Sequence, residues 1–174
     1  MKIESKSTVN QPIDAVFELL KNDINLLVPH LPNISKVEEV SRESKGKKEF
    51  VTNAWTANAE LPSILKKIAK PELLSWNDIA EWDIEKKCVT YKLESKLAAD
   101  LYTAQGKNTL TAVDENTTEM HFLCEVIPHP ENFPGVPKFL AKKIVPALET
   151  LLKLLIEPNF KTMNEGIKKY FGSK

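Results

Sequence analysis

The sequence predicts an α+β protein. It would be built on a curved antiparallel sheet of about seven strands, with two short helices after the first strand and a long C-terminal helix packed across the sheet. Three observations predict this. Ile144, Leu148, Leu151, Leu152, Leu155 and Ile156 recur at three- and four-residue steps, the signature of a wide buried helical stripe. Most of the chain before them alternates with period two, as strands do. The links between those strands are short and polar, such as Ile84-Glu85-Lys86 and Asp114-Glu115-Asn116, which implies antiparallel neighbours. A helix this long cannot bury its stripe on itself. A curved sheet supplies the missing surface and favours a cavity between the two.

Each element has a local reason. Lys2 to Asn10 alternates Ile3, Ser5, Ser7 and Val9 against polar neighbours, a first strand with one modestly apolar face. Asn10-Gln11-Pro12 opens a helix, since proline is tolerated in a first turn, and Ile13, Val16, Phe17 and Leu20 form its stripe. A shorter helix starts at Asp23 and ends at Pro29 and Pro32. Ile34–Glu43 and Lys47–Asn58 form a hairpin around Ser44-Lys45-Gly46. An insertion bracketed by Pro62 and Pro71 has helical spacing at Ile64, Leu65 and Ile68. Strands are predicted at Leu73–Asp83, Lys87–Ser95, Leu101–Val113 and Thr117–Ile127. The proline-rich segment 127–137 cannot continue a central strand and hands the chain to the final helix. Pro146 and Pro158 are expected to kink or break that helix.

Composition sets bounds. At 174 residues, with 42% apolar and 28% charged residues, one domain spanning 1–174 with a sizeable core is expected. Cys88 and Cys124 are too few for a disulfide framework and read as small buried hydrophobes, which fits a reducing cytoplasm. Met1–Lys6 has no apolar leader core, and no stretch approaches a membrane span. The net charge is zero, but residues 137–174 carry eight lysines against three glutamates. Those lysines allow peripheral contact with an anionic membrane; a solvated helix face is the plainer reading. A single arginine, Arg42, and no basic patch argue against nucleic acid. His121 and Cys124 point to opposite strand faces and no zinc spacing is present, so no metal site and no cofactor are expected. No nucleophile elbow, phosphate-binding glycine loop or dinucleotide fingerprint occurs.

The order strand, two helices, six strands, long helix, together with the opening Ser7-Thr8-Val9-Asn10-Gln11-Pro12-Ile13-Asp14-Ala15-Val16-Phe17, resembles the helix-grip proteins of the START/SRPBCC superfamily. The resemblance covers nearly the whole chain; the Pro62–Pro71 insertion is not part of the minimal pattern. It implies an apolar pocket between sheet and last helix, with binding, or also transport, of a hydrophobic small molecule or lipid. Strand parity supplies the wall: Tyr91 and Leu93 on one strand, Phe122 and Val126 on another, Trp76 and Trp82 on a third. Trp55 joins them from a strand whose faces are mixed. Leu148, Leu152 and Leu155 face them from the helix. These residues also suit a plain core.

The residues favour a binder over an enzyme and leave the choice open. Relatives of this fold that cyclise or hydrate small molecules make a cyclase- or hydratase-type enzyme the main alternative. Asp78 is then the candidate acid or base, because its parity places it with Trp76 and Trp82. A bulge at Asn77-Asp78 would instead turn it to solvent. A protein-interaction, co-chaperone-like module is the third reading, and the chain is expected as a monomer or homodimer.

Overall fold

The computed structural model describes residues 1–61, 63–66, 70–134 and 136–172. Strand β1 (Lys2–Val9) is followed by helix α1 (Ile13–Asn22) and a 3-10 helix (Ile24–His30). Strands β2 (Ile34–Lys45) and β3 (Lys48–Ala57) come next, then a one-turn helix α2 (Ser63–Lys66) and a 3-10 turn (Pro71–Leu74). Four strands, β4 (Ser75–Asp83), β5 (Cys88–Ser95), β6 (Tyr102–Asp114) and β7 (Thr117–Pro128), lead through Pro130–Asn132 to helix α3 (Lys138–Gly172).

The strands form one antiparallel sheet in the order β1-β7-β6-β5-β4-β3-β2. From β2 onward each strand pairs with its sequence neighbour, as the short links require. The β1 strand closes against β7, so α1 and the 3-10 helix carry the chain from one sheet edge to the other. The hairpin turn falls at Gly46, whose φ of 63° is the left-handed conformation that a two-residue hairpin loop demands. The predicted strand from Leu73 begins two residues later, because Pro71–Leu74 closes a 3-10 turn first.

Helix α3 is not broken at Pro146 or Pro158: its helical course is continuous through both. A proline has no N–H, so Pro158 leaves the Leu154 carbonyl without its intrahelical donor. The Asn33 side-chain amide, just before β2, donates to that carbonyl at 2.9 Å. Nearby side chains add local bonds: Thr162 Oγ1 donates to Pro158 O at 2.8 Å, and Thr150 Oγ1 to Pro146 O at 2.7 Å. The packed stripe holds the remainder.

Three apolar clusters fill the space under the sheet. The largest joins α1, including Val16 and Phe17, to Val51, Trp82, Met120 and the far end of α3 at Met163 and Ile167. A second surrounds the first half of α3, where Ile144, Leu148 and Leu151 pack on Leu65, Leu73, Leu101 and Phe133. A third holds Ala104, Cys124, Val126 and Leu152. Both cysteines are buried and free.

Outside the core, one ionic network ties α1 to the first hairpin. Glu49 accepts from Lys21 Nζ at 2.9 Å and from Arg42 Nη1 at 2.6 Å. Arg42 Nη2 also donates to the Lys21 carbonyl at 3.1 Å and to Glu39 Oε2 at 2.8 Å, capping the last turn of α1. Lysine cannot reproduce that fork. Arg42→Lys is expected to lower stability by about 1–2 kcal/mol, read from the urea midpoint. The bonds from Lys21 and then Arg42 hold the Glu49 carboxyl below its ordinary range. A depressed carboxylate stabilises the fold above its unfolded pKa, and that contribution fades as acid protonates it. The gap between Arg42→Lys and wild type should therefore narrow in acid.

Candidate functional site: a cavity between the sheet and the second half of α3

The inner sheet face and α3 leave a cavity of about 130 Å³. Its floor comes from strands β3 to β7, its near end from α1 and the 3-10 helix, and its roof from α3 beyond Leu155. Strand alternation brings Trp76, Asp78, Ala80 and Trp82 of β4 to one face, and all four line the cavity. The β3–β4 and β4–β5 registers run without a shift past Asp78, so the bulge that would have turned it outward does not form.

Of the predicted wall, Trp55, Trp76, Trp82, Tyr91, Leu93, Phe122 and Leu155 line the cavity. Val126, Leu148 and Leu152 do not, and this corrects the expectation. Leu148 is packed against the cluster that includes Leu65, Leu73 and Phe133, while Val126 and Leu152 pack on each other with Cys124. Leu65 of the insertion and Phe133 of the connector pack beneath the first half of α3. The hollow is displaced toward the second half, where Ile156, Asn159, Phe160 and Met163 complete the roof. Those roof residues, together with Leu20, Ile24, Asn53 and Asn108, were not anticipated. The helical period continuing past Pro158 through Asn159, Phe160 and Met163 was the available signal.

The wall is aromatic and ordered. The Trp55 and Trp76 rings stack with centroids 6.1 Å apart and planes 12° from parallel. Trp82 meets Phe17 edge-on at 5.4 Å, which joins α1 to β4. Phe122 of β7 touches Phe160 of α3 at 5.6 Å, so sheet and roof meet there. Tyr91 is held by its own hydroxyl, which donates to the Leu123 carbonyl at 3.0 Å. Gly106, directly across in β6, leaves the room for that ring.

The polar groups are set in this apolar surround. Burial raises the Asp78 carboxyl from its ordinary range to about 7. Asp78 is half-buried and lines the cavity. Burial pushes the Cys124 thiol up to about 11 and drives the Tyr91 hydroxyl well above the usual phenol range, so both keep their protons. Cys124 is therefore no nucleophile as it stands. Lys87, at the near end, is bonded to Asp14 at 2.7 Å and lies 4.6 Å from the Phe17 ring centre. His121 faces the other side of the sheet and pairs with Glu4 at 2.6 Å. Among the described residues no group of three or more His, Cys, Asp or Glu side chains is placed to hold a metal ion.

Among the described residues, six buried side-chain polar atoms have no hydrogen-bond partner: Ser7 Oγ, Trp55 Nε1, Asp78 Oδ1, Trp82 Nε1, Asn108 Oδ1 and Asn159 Oδ1. All but Ser7 belong to residues of this one cavity wall. Native interiors rarely leave such groups unpaired, because each costs about 1–3 kcal/mol.

This architecture is a helix-grip fold, and solved structures reproduce it along almost the full chain. TTHA0849 from Thermus thermophilus is 18% identical, with 99% of this chain and 98% of that one covered at a TM-score of 0.64. The Zhui aromatase/cyclase from Streptomyces sp. R1128 is 16% identical, with 98% and 92% covered at 0.67. Norcoclaurine synthase from Thalictrum flavum, solved with dopamine and hydroxybenzaldehyde, is 15% identical, with 99% and 87% covered at 0.57. No family model and no curated protein matches the chain. The likeness establishes the fold; the chemistry has to come from the cavity. Among the described residues no helix is long and apolar enough to cross a membrane.

Proposed function

We propose that this protein binds a compact, ring-bearing hydrophobic molecule in the cavity beneath the second half of α3. One observation carries the reading: among the described residues, five of the six unpartnered buried polar atoms belong to a single aromatic wall. An apolar pocket with a few unmatched polar groups is the usual form of a small-molecule site. Desolvating the ligand would supply most of the affinity, at ~25 cal/mol per Å² of apolar area before ordering costs. The volume favours a molecule near one aromatic ring in size, since a cavity of about 150 Å³ holds benzene. A long-chain lipid would need the roof to move. The two buried free cysteines suit a reducing compartment, consistent with a cytoplasmic protein.

All three tryptophans line the cavity, so the protein carries its own reporter. Indole derivatives would obscure it; toluene and 2-phenylethanol do not. Either probe is expected to change the tryptophan emission saturably, and native mass spectrometry of freshly purified protein is expected to show a co-purified small molecule. An empty protein whose emission responds to neither probe removes the reading.

A second reading, an enzyme of the cyclase or synthase type, is favoured by Asp78. A carboxyl near 7 is poised to give or take a proton at physiological pH. An aromatase/cyclase and a synthase are among the structural neighbours, which supports this reading. The interaction-module reading is less favoured, because among the described residues the exposed large apolar side chains Leu26, Val40, Val113, Ile127, Phe139 and Leu154 are spread over five elements.

A further inference from the structure

We propose that the cavity selects a small aromatic cation, an amine carried on or beside a ring, with Asp78 as its counter-charge and the Trp55–Trp76 pair and Tyr91 as its walls. The inference rests on the binding reading above and names the ligand class.

Register places the groups. On the inner face Asp78 stands directly opposite Asn53 of β3 and Leu93 of β5. Trp76 is two residues before it and is itself paired with Trp55. Two residues after it, Ala80 faces Tyr91. Directly paired residues in a sheet sit about 5 Å apart and diagonal ones about 7–8 Å, so the carboxyl has aromatic rings on both sides along the strand. Indole and phenol faces attract cations. Asp78 Oδ1 is buried and, among the described residues, accepts no hydrogen bond.

The rest of the wall offers no competing charge. Among the described residues Lys87 is the only other lining residue with a charged side chain, and its ammonium is held by Asp14. From β5 and β7 the titratable neighbours are Tyr91 and Cys124, whose protons burial retains, and Cys88 lies toward the near end. From α3 the cavity meets only uncharged groups: Leu155, Ile156, Asn159, Phe160 and Met163. An anionic ligand, including a fatty acid, would bring a second negative charge into this enclosure with no cation among the described lining residues free to meet it. An ammonium supplies the charge and the donors that the unpartnered oxygens of Asp78, Asn108 and Asn159 lack, while the indole N–H groups of Trp55 and Trp82 are left to an acceptor elsewhere on the ligand.

The test uses three probes of matched shape, 2-phenylethylamine, 2-phenylethanol and phenylacetate, followed by tryptophan emission and calorimetry. At pH 8 the amine is expected to bind at least about tenfold more tightly than the alcohol, the span of one hydrogen-bonded charge. Phenylacetate is expected not to bind. Asp78→Asn should erase the amine's advantage and leave the alcohol's affinity in place. That substitution removes a buried charge, so the variant is expected to fold. An independent measure needs no variant. With the free carboxyl near 7, amine affinity should fall about tenfold from pH 8 to pH 6, while the alcohol's stays flat.

Equal binding of amine and alcohol, an advantage that survives Asp78→Asn, a flat pH profile, or phenylacetate binding as well as the amine each overturns the proposal. In those cases the neutral probe still binds and the binding reading stands. Silence with all three probes overturns both.

Discussion

Gly106→Ala is expected to destabilise the protein by about 2–3 kcal/mol, seen as a drop of roughly 5–10 °C in Tm. A Cβ built there would lie 2.2 Å from the Leu123 carbonyl oxygen, 2.3 Å from the Tyr91 hydroxyl oxygen and 2.4 Å from its ring. The first of these is backbone, locked in the β6–β7 ladder, and cannot rotate away. The second is the group that bonds that same carbonyl. The added methyl therefore has to move either a strand or the tyrosine that forms part of the cavity floor. Adding Tyr91→Phe should recover little, since the backbone clash remains. A loss under about 0.5 kcal/mol by urea unfolding would show that the sheet yields there freely.

Filling the cavity should remove ligand binding while the fold survives. Ala80 is small, lies between Asp78 and Trp82 on the inner face and opens onto the cavity. Ala80→Phe is expected to weaken binding of a neutral ring such as toluene by about hundredfold or more, because the new ring occupies the volume a ligand would take. Overpacking should cost about 1–3 kcal/mol, within reach of a folded protein and checked by circular dichroism. Thr90→Phe is the control: Thr90 is exposed, and its neighbours Val89 and Tyr91, unlike it, line the cavity. It should bind as wild type does. Undiminished binding by Ala80→Phe would place the ligand elsewhere.

How much of this was legible depended on how local each cause is. Alternation along a strand is a property of neighbouring residues, so the inward set Met120, Phe122, Cys124 and Val126, and the joint facing of Trp76, Asp78 and Trp82, follow from the sequence. The order of elements and the short links likewise forecast the antiparallel meander. The part of α3 that covers the hollow was not legible. Leu148 and Leu152 have the right period, yet whether a helical stripe meets protein or empty space depends on what the insertion and connector place beneath it. Leu65, Leu73 and Phe133 do that from positions distant in sequence. The unbroken course of α3 escaped for the same reason, since the donor for Leu154 O belongs to Asn33. Gly106 was a missed signal: a lone glycine inside a strand marks a close approach of another group.

The partner of the Leu154 carbonyl has a mechanical consequence. Where Pro158 removes a rung, the ceiling of the hollow is moored to the corner of the molecule by one amide from outside it. The span bearing Asn159, Phe160 and Met163 begins just past that mooring. Position 33 therefore bears on how firmly the ceiling is held without itself lining the hollow.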